Sequence, residues 1–513
     1  MEHNLPGKVR FSKTALTISF FLAYSFAVLF FCTKSSPFFH MNDWPDANAY
    51  FSMGKGMFNG LVPYRDIFDH KGPLLYFLNG LAYLISDNNF YGVYIMQSIS
   101  LSVVLYFSYK AINLYATKKA SLLAAVSIPV FMLNSPVYIS GGGSPEEYIL
   151  AFQAVSMYFF LRYFKKPALE GHEPRVMFIH GLMSGCVLML KYTPLVFWVG
   201  FDFFIFAGLL VRGMYKNFLK NLLTLILGVA AALLPWLVYF RITDSIKDLY
   251  EVYFRFNSLY ADLGISLPVL KGFIKALIKV NTNNAASFLL FLTGLVWFVF
   301  LKGRINAAGR LGLLSSFGIT FAAVYFSGMS FSYYFLTVIV FIIPGLTAAC
   351  MLIDKLEIKK LLLVCFVCMV LALTIQANGL YKYSRIYVRD QMAQQKFADI
   401  INREENPTLV NLITQDLGIS TLCGTVPDVK YFYIPFVSYE KYPQAVDSQY
   451  GYIKNRKVKF VITRTPSVIS VHGSSKGLEK RIMEELNRNY TLAASQDQYC
   501  IAGWFRYELY RLK

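Results

Sequence analysis

From residue 311 to residue 353 the chain carries no Asp, Glu, Lys or Arg. That run is about twice the ~20 residues an α-helix needs to cross ~30 Å of hydrocarbon, so it reads as a hairpin of two membrane-crossing helices. Further uncharged apolar stretches of roughly 18 to 20 residues recur before and after it. Only 15% of the 513 residues are charged, against about 25% in a soluble domain. With 56% hydrophobic residues and a mean hydropathy of +0.45, a water-soluble enzyme is excluded. The sequence describes a polytopic α-helical membrane protein.

The net charge of +19 comes from 49 Lys and Arg against 30 Asp and Glu. Many of the basic residues flank apolar runs, as at Lys8, Arg10 and Lys13, Lys118 and Lys119, Lys165 and Lys166, Arg212 and Lys216, and Lys302 and Arg304. There they attract anionic membrane lipids and hold their loops in the cytoplasm; no nucleic-acid partner is implied. With those loops inside, about 11 crossings follow. They are residues 14–33, 91–109, 121–139 and 148–161, two helices within 176–211 joined near Lys191, then 221–240, 284–301, two within 311–353 broken around 327–332, and 361–379. The N-terminus is then cytoplasmic and the C-terminus external, in a bacterial cytoplasmic membrane. A cleaved signal peptide fits poorly, because the first apolar run ends in Cys-Thr-Lys-Ser-Ser-Pro without a small-residue cleavage site. The apolar piece 73–85 is short for a crossing and reads as an interfacial or re-entrant helix of the first external loop.

Two domains are expected, a membrane-embedded domain over 1–380 and an extracytoplasmic α/β or α+β domain over 381–513. The second has β-rich runs at 408–413, 430–435, 458–463, 490–495 and 500–510, with a helix at 476–488. Seven cysteines are too few and scattered for a disulfide framework. Cys423 and Cys500 could pair outside the membrane, whereas Cys365 and Cys368 form a CxxC inside an apolar helix, where packing outweighs metal binding.

The densest polar segment lies just beyond the first crossing and runs from His40 to Pro73. It interleaves Asp43, Asp46, Arg65, Asp66, Asp69, His70 and Lys71 with Trp44, Tyr50, Phe58, Tyr64 and Phe68, which suits a pocket at the lipid boundary better than a plain solvated loop. Asp46 follows Pro45, a helix-starting residue, and could remove a proton from an acceptor hydroxyl. A helix start would lower its pKa rather than raise it. A second constellation, Gly141-Gly-Gly-Ser-Pro-Glu-Glu-Tyr148, combines a tight reversal with Glu146 and Glu147 in the first turn of the next helix. One of these acids caps that helix; the pair could instead hold a hydroxyl, a cation or a divalent metal. Lys191, between two apolar halves, could snorkel or meet an anionic lipid phosphate or diphosphate. Arg65, Lys71 and Arg255 are further phosphate candidates. Asp202 reads as a packing residue paired elsewhere in the bundle.

These segments resemble the membrane glycosyltransferases of the C fold class (GT-C), especially the bacterial branch related to protein O-mannosyltransferases and aminoarabinose transferases. The resemblance rests on Pro45-Asp46-Ala47-Asn48, the string from Gly60 to Pro73, Ser144-Pro-Glu-Glu147, Lys191-Tyr-Thr, Ser332-Tyr-Tyr334 and the polar tail. It implies a polyprenyl-phosphate sugar donor, an acceptor that is a glycolipid, polysaccharide or protein, and direct displacement with inversion. By the same resemblance Asp46 is the catalytic carboxylate. Glu147 is a second catalytic candidate, and Tyr333 joins the donor- and phosphate-binding candidates. Ala47 stands where many relatives carry Glu, and Ser332 where relatives often carry His. No cofactor is firmly implied, and a divalent metal at Glu146 and Glu147 stays open. Two other readings fit a chain of this kind, a multispan transporter and a noncatalytic protein of polymer export or cell-envelope assembly.

Overall fold

The computed structural model describes residues 12–134, 141–166, 171–258, 267–283, 285–300, 304–325, 331–353, 359–387, 392–468, 476–500 and 503–513. Among the described residues a helix lies in each of the stretches read as crossings, but not all of these helices are long enough to cross. Six among the described residues combine the length and the apolarity: Lys13–Cys32, Tyr91–Ile112, Thr193–Val211, Tyr215–Ile242, Ala307–Tyr325 and Leu361–Asn378. Tyr333–Ile339 and Ile342–Met351, bent by 49°, make a seventh if counted as one broken span. Among the described residues the expected count of 11 is corrected to six or seven. Lys118–Leu133, Pro174–Leu188 and Ala285–Phe300 have 16, 15 and 16 residues. At 1.5 Å per residue they reach only about 24 Å, short of the hydrocarbon thickness. Pro145–Phe164 is long enough but begins with Glu146 and Glu147 and carries Arg162 near its end. The expected break at 327–332 falls largely outside the described residues.

The loops sort to two ends of the bundle. At one end Asn306 N–H donates to Phe164 O at 3.0 Å, Tyr115 Oη to Leu161 O at 3.0 Å, and Lys165 Nζ to Leu114 O. These contacts gather the basic loops around Lys118, Lys165 and Arg304. At the other end Lys34 N–H donates to Gly141 O at 3.0 Å and Leu74 N–H to Met189 O at 3.1 Å. That end collects the loops after Cys32, before Pro145 and after Leu188. The 28-residue Tyr215–Ile242 helix turns Leu223, Ile226, Leu227 and Leu234 outward, an apolar face suited to lipid.

The C-terminal region builds a four-stranded mixed sheet in the order β1-β2-β4-β3. Here β1 is Leu409–Asn411, β2 Phe460–Thr465, β3 Tyr490–Cys500 and β4 Gly503–Leu512. β1 runs parallel to β2, and β4 is antiparallel to both β2 and β3. The apolar runs at 408–413, 458–463, 490–495 and 500–510 thus supply strands, but 430–435 does not. Its backbone pairs sideways instead: Asn411 N–H donates to Phe432 O, Ile434 N–H to Thr414 O and Phe68 N–H to Lys430 O. The run is a strap between the sheet and the first loop. Cys423 and Cys500, which the sequence left open as a pair, are both free thiols; Cys500 Sγ lies 3.5 Å from Tyr507 Oη. Cys365 and Cys368 are exposed on the apolar Lys360–Asn378 helix.

Candidate active site

Pro45 starts the helix Pro45–Phe58 and puts Asp46 in its first turn. The carboxylate is recessed but keeps some exposure. Tyr333 Oη donates to Asp46 Oδ2 at 3.4 Å, and the Tyr333 ring meets Trp44 edge-on at 5.5 Å. The helix start alone would lower the Asp46 pKa, yet the observed environment raises it. Burial pushes it up to about 6; the Lys71 charge and the Tyr333 hydrogen bond pull downward, while Asp69 and Glu146 push upward. The expectation of a lowered pKa is overturned because desolvation outweighs the free amides of the first turn.

Lys71 is carried by the loop that ends at Pro73. Gly72 presses this loop onto the end of the Pro174–Leu188 helix, where an added Cβ would stand 2.0 Å from Met189 O. Gly72 N–H donates to Leu190 O at 3.0 Å, next to Lys191. Lys71 Nζ donates to His70 Nε2 at 2.9 Å. Burial lowers the pKa of both residues. Asp69, buried at 2% exposure, accepts from Tyr76 Oη at 2.9 Å and from Tyr433 Oη at 2.7 Å. Burial pushes the Asp69 pKa up, but the adjacent His70 ring, the Lys71 charge and the Tyr433 hydroxyl hold it below the usual carboxylate range.

Lys191 sits in the turn before the one-turn helix Thr193–Leu195. Its Nζ donates to Glu146 Oε1 at 2.7 Å and lies 3.5 Å from the centre of the Tyr334 ring. Glu146 is fully buried, whereas the Lys191 side chain keeps 18% exposure, so the cation faces the site and its counter-charge lies behind it. Glu147 has another task. Its Oε1 accepts from the backbone N–H of Gly143 at 2.7 Å and of Ser144 at 2.8 Å, and its Oε2 from Gln97 at 2.6 Å. Gly142 and Gly143 adopt φ of +81° and +89°, which only glycine takes without strain. Glu147 thus closes a glycine turn and caps a helix; the structure does not aim it at Asp46.

Asp46, Lys71, Lys191 and Tyr333 are brought together, but three other residues are not. Arg65 is exposed and pairs with Asp66 while donating to Thr243 O at 2.8 Å. Arg255 is exposed and pairs with Glu251 one helical turn away. The structure gives both candidates local, solvent-exposed ion pairs and no contact with Asp46, Lys71 or Lys191 among the described residues. Asp202 is not paired elsewhere in the bundle; among the described residues its Oδ1 has no partner. It lines a cavity of about 370 Å³ with Leu188, Leu195 and Trp198, beside the Lys191 turn. Glu146 and Glu147 also fail as a metal pair, since one holds Lys191 and the other holds loop amides. Among the described residues no group of three His, Cys, Asp or Glu could hold a metal ion.

The residues without an assigned role in the sequence are Asp69, His70, Tyr334 and Tyr433. The charge-dense Asp69-His-Lys-Gly-Pro73 string pointed toward the first two. Tyr433 lies 364 residues from Asp69, inside a run that reads as a strand, and nothing local marks it.

The sequence profile of the competence-induced protein Ccs4 N-terminal domain matches residues 8–278, just over half of the chain. The chain belongs to this family. Asp46, Lys71, Glu146 and Lys191 lie within the Ccs4-type segment, while Tyr333, Tyr334 and Tyr433 lie beyond it. The crystal structure of ArnT from Cupriavidus metallidurans bound to undecaprenyl phosphate is similar over 97% of this chain and 98% of that one, with TM-score 0.53 and 12% identity. The apo structure of the same protein covers the same shares, with TM-score 0.56 and 12% identity. This Ccs4-family chain therefore shares the fold of ArnT along nearly its whole length. No curated protein matches the sequence.

Proposed function

We propose that the protein is a glycosyltransferase that moves a sugar from a polyprenyl-phosphate-linked donor to a glycolipid, polysaccharide or protein acceptor of the cell envelope. The carrying observation is the convergence of one proton-accepting carboxylate, Asp46, with two lysines at one end of an apolar bundle. Asp46 takes the proton of the acceptor hydroxyl, and a carboxylate whose pKa stands near 6 does this better than an ordinary one. The acceptor oxygen attacks the anomeric carbon opposite the phosphate, which inverts that centre. Lys71 and Lys191 neutralise the phosphate as the sugar leaves. The cavity beside the Lys191 turn, lined by Leu188, Leu195 and Trp198, suits the first isoprene units of the carrier. Undecaprenyl phosphate, the ligand of the similar ArnT, is a carrier of this class.

Binding tests this reading without knowledge of the sugar. Detergent-purified protein should bind undecaprenyl phosphate saturably, less tightly as ionic strength rises, and should discriminate against undecaprenol, which keeps the tail and lacks the phosphate. Equal binding of both lipids would contradict it. Lys191→Gln should raise the donor KM about tenfold, the value of one charge-assisted contact, and leave the acceptor KM unchanged. Because this change leaves Glu146 buried without its cation, monodisperse yield is measured alongside. Unchanged donor dependence would confine Lys191 to anchoring.

We place the site and the C-terminal region outside the cytoplasmic membrane, the N-terminus inside, and the domain boundary near residue 380. The gathering of basic loops at the opposite end supports this orientation. Cysteines placed at the exposed Asn88 and Gln444 should react with an impermeant maleimide in intact cells, and one at Lys216 only after permeabilisation. The reverse pattern would invert the orientation.

A further inference from the structure

The C-terminal region reaches the first loop and the helix Pro45–Phe58 at several points. Ser52 Oγ donates to Asp416 Oδ2 at 2.9 Å, Thr421 Oγ1 to Asn48 Oδ1 at 3.3 Å, and Phe68 N–H to Lys430 O at 3.0 Å. These contacts dock one part of the chain on another. The bond from Tyr433 to Asp69 differs, because it ends on a carboxylate next to the residues of the site. From there the contacts continue inward. Asp69 Oδ1 lies 3.4 Å from His70 Nδ1, and His70 Nε2 accepts from Lys71 Nζ at 2.9 Å.

We propose that Tyr433 is a positioning residue that fixes Lys71 through Asp69 and His70, making the C-terminal region part of the donor site. An ammonium can only donate, so the Lys71 contact makes Nε2 the acceptor of a neutral imidazole and leaves the ring proton on Nδ1, facing Asp69. Asp69 keeps its negative charge because its buried oxygens meet two phenol donors, Tyr76 and Tyr433. A lysine on a flexible four-carbon stem is thereby held in one place. Removing the Tyr433 hydroxyl leaves Asp69 with one tyrosine donor and loosens the segment that carries His70 and Lys71. The identity of the anion that Lys71 meets rests on the reading of the previous section; the positioning does not.

The test compares Tyr433→Phe with Tyr431→Phe, whose hydroxyl meets Tyr442 instead. Brief acetylation of the full-length protein in detergent, read by mass spectrometry, gives Lys71 labelling relative to Lys55 in the same sample. Tyr433→Phe should raise that ratio at least threefold and weaken undecaprenyl phosphate binding about tenfold, with thermal stability near that of the parent. Tyr431→Phe should change neither. An unchanged Lys71 ratio in Tyr433→Phe, or an equal rise in Tyr431→Phe, overturns the proposal. A raised ratio in a protein whose parent form does not bind undecaprenyl phosphate supports the positioning and sinks the lipid-phosphate reading.

Discussion

Asp46→Asn should lower sugar transfer by at least about 100-fold while leaving membrane insertion and monodisperse yield near those of the parent. Asparagine keeps the shape and cannot accept the proton. Its effect on stability should have the opposite sign. The folded-state pKa of Asp46 stands near 6, above the ordinary 3.8, so the protonated form is favoured in the fold. The stability this contributes is present below the unfolded pKa and is lost as pH rises through about 6. At pH 7 the ionised group therefore costs about 3 kcal/mol relative to water, and a neutral amide relieves part of that cost. The Tm of Asp46→Asn at pH 7 should match or exceed that of the parent. In the parent, turnover should climb as pH rises through about 6 and level off above it. Near-parent turnover by the variant at equal folded protein would remove Asp46 from the base role.

Lys71→Gln should reduce donor kcat/KM about 10- to 100-fold, the range expected for a charged contact worth about 1.5 to 3 kcal/mol. The effect should exceed that of Lys191→Gln, because Glu146 already neutralises much of the Lys191 charge, whereas Lys71 donates to a neutral imidazole. A second consequence separates electrostatics from misfolding. The Lys71 charge is the largest influence lowering the Asp46 pKa, so its removal should move the acid limb of the turnover profile to higher pH. Donor kinetics equal to the parent's, with the limb still near pH 6, would take Lys71 out of the site.

The apolar runs disclosed where helices form, because membrane burial writes itself into about 20 consecutive residues. They disclosed less well which helices cross. Lys118–Leu133 and Ala285–Phe300 have crossing composition with only 16 residues each. Asp46, Lys71 and Lys191 were legible because a charge beside apolar sequence is costly and stands out. Arg65 and Arg255 stood out for the same reason, and only the fold reveals that Asp66 and Glu251 satisfy them. The direction of the Asp46 pKa is hidden in the sequence for a related cause: a helix start is visible in Pro45, but the desolvation that overrides it is a tertiary property. Tyr433 reaches Asp69 across 364 residues from a strap whose alternating aromatics imitate a strand.

The central claim is tested most directly by the lipid-linked sugars of cells lacking this protein. Extracted polyprenyl-phosphate sugars should accumulate in the deletion strain, fall to the parental level when the parent gene is restored, and stay elevated when the Asp46→Asn form is expressed at equal abundance. A lipid-linked sugar pool that is the same in all four strains, with an unaltered envelope acceptor, would contradict a transferase centred on Asp46.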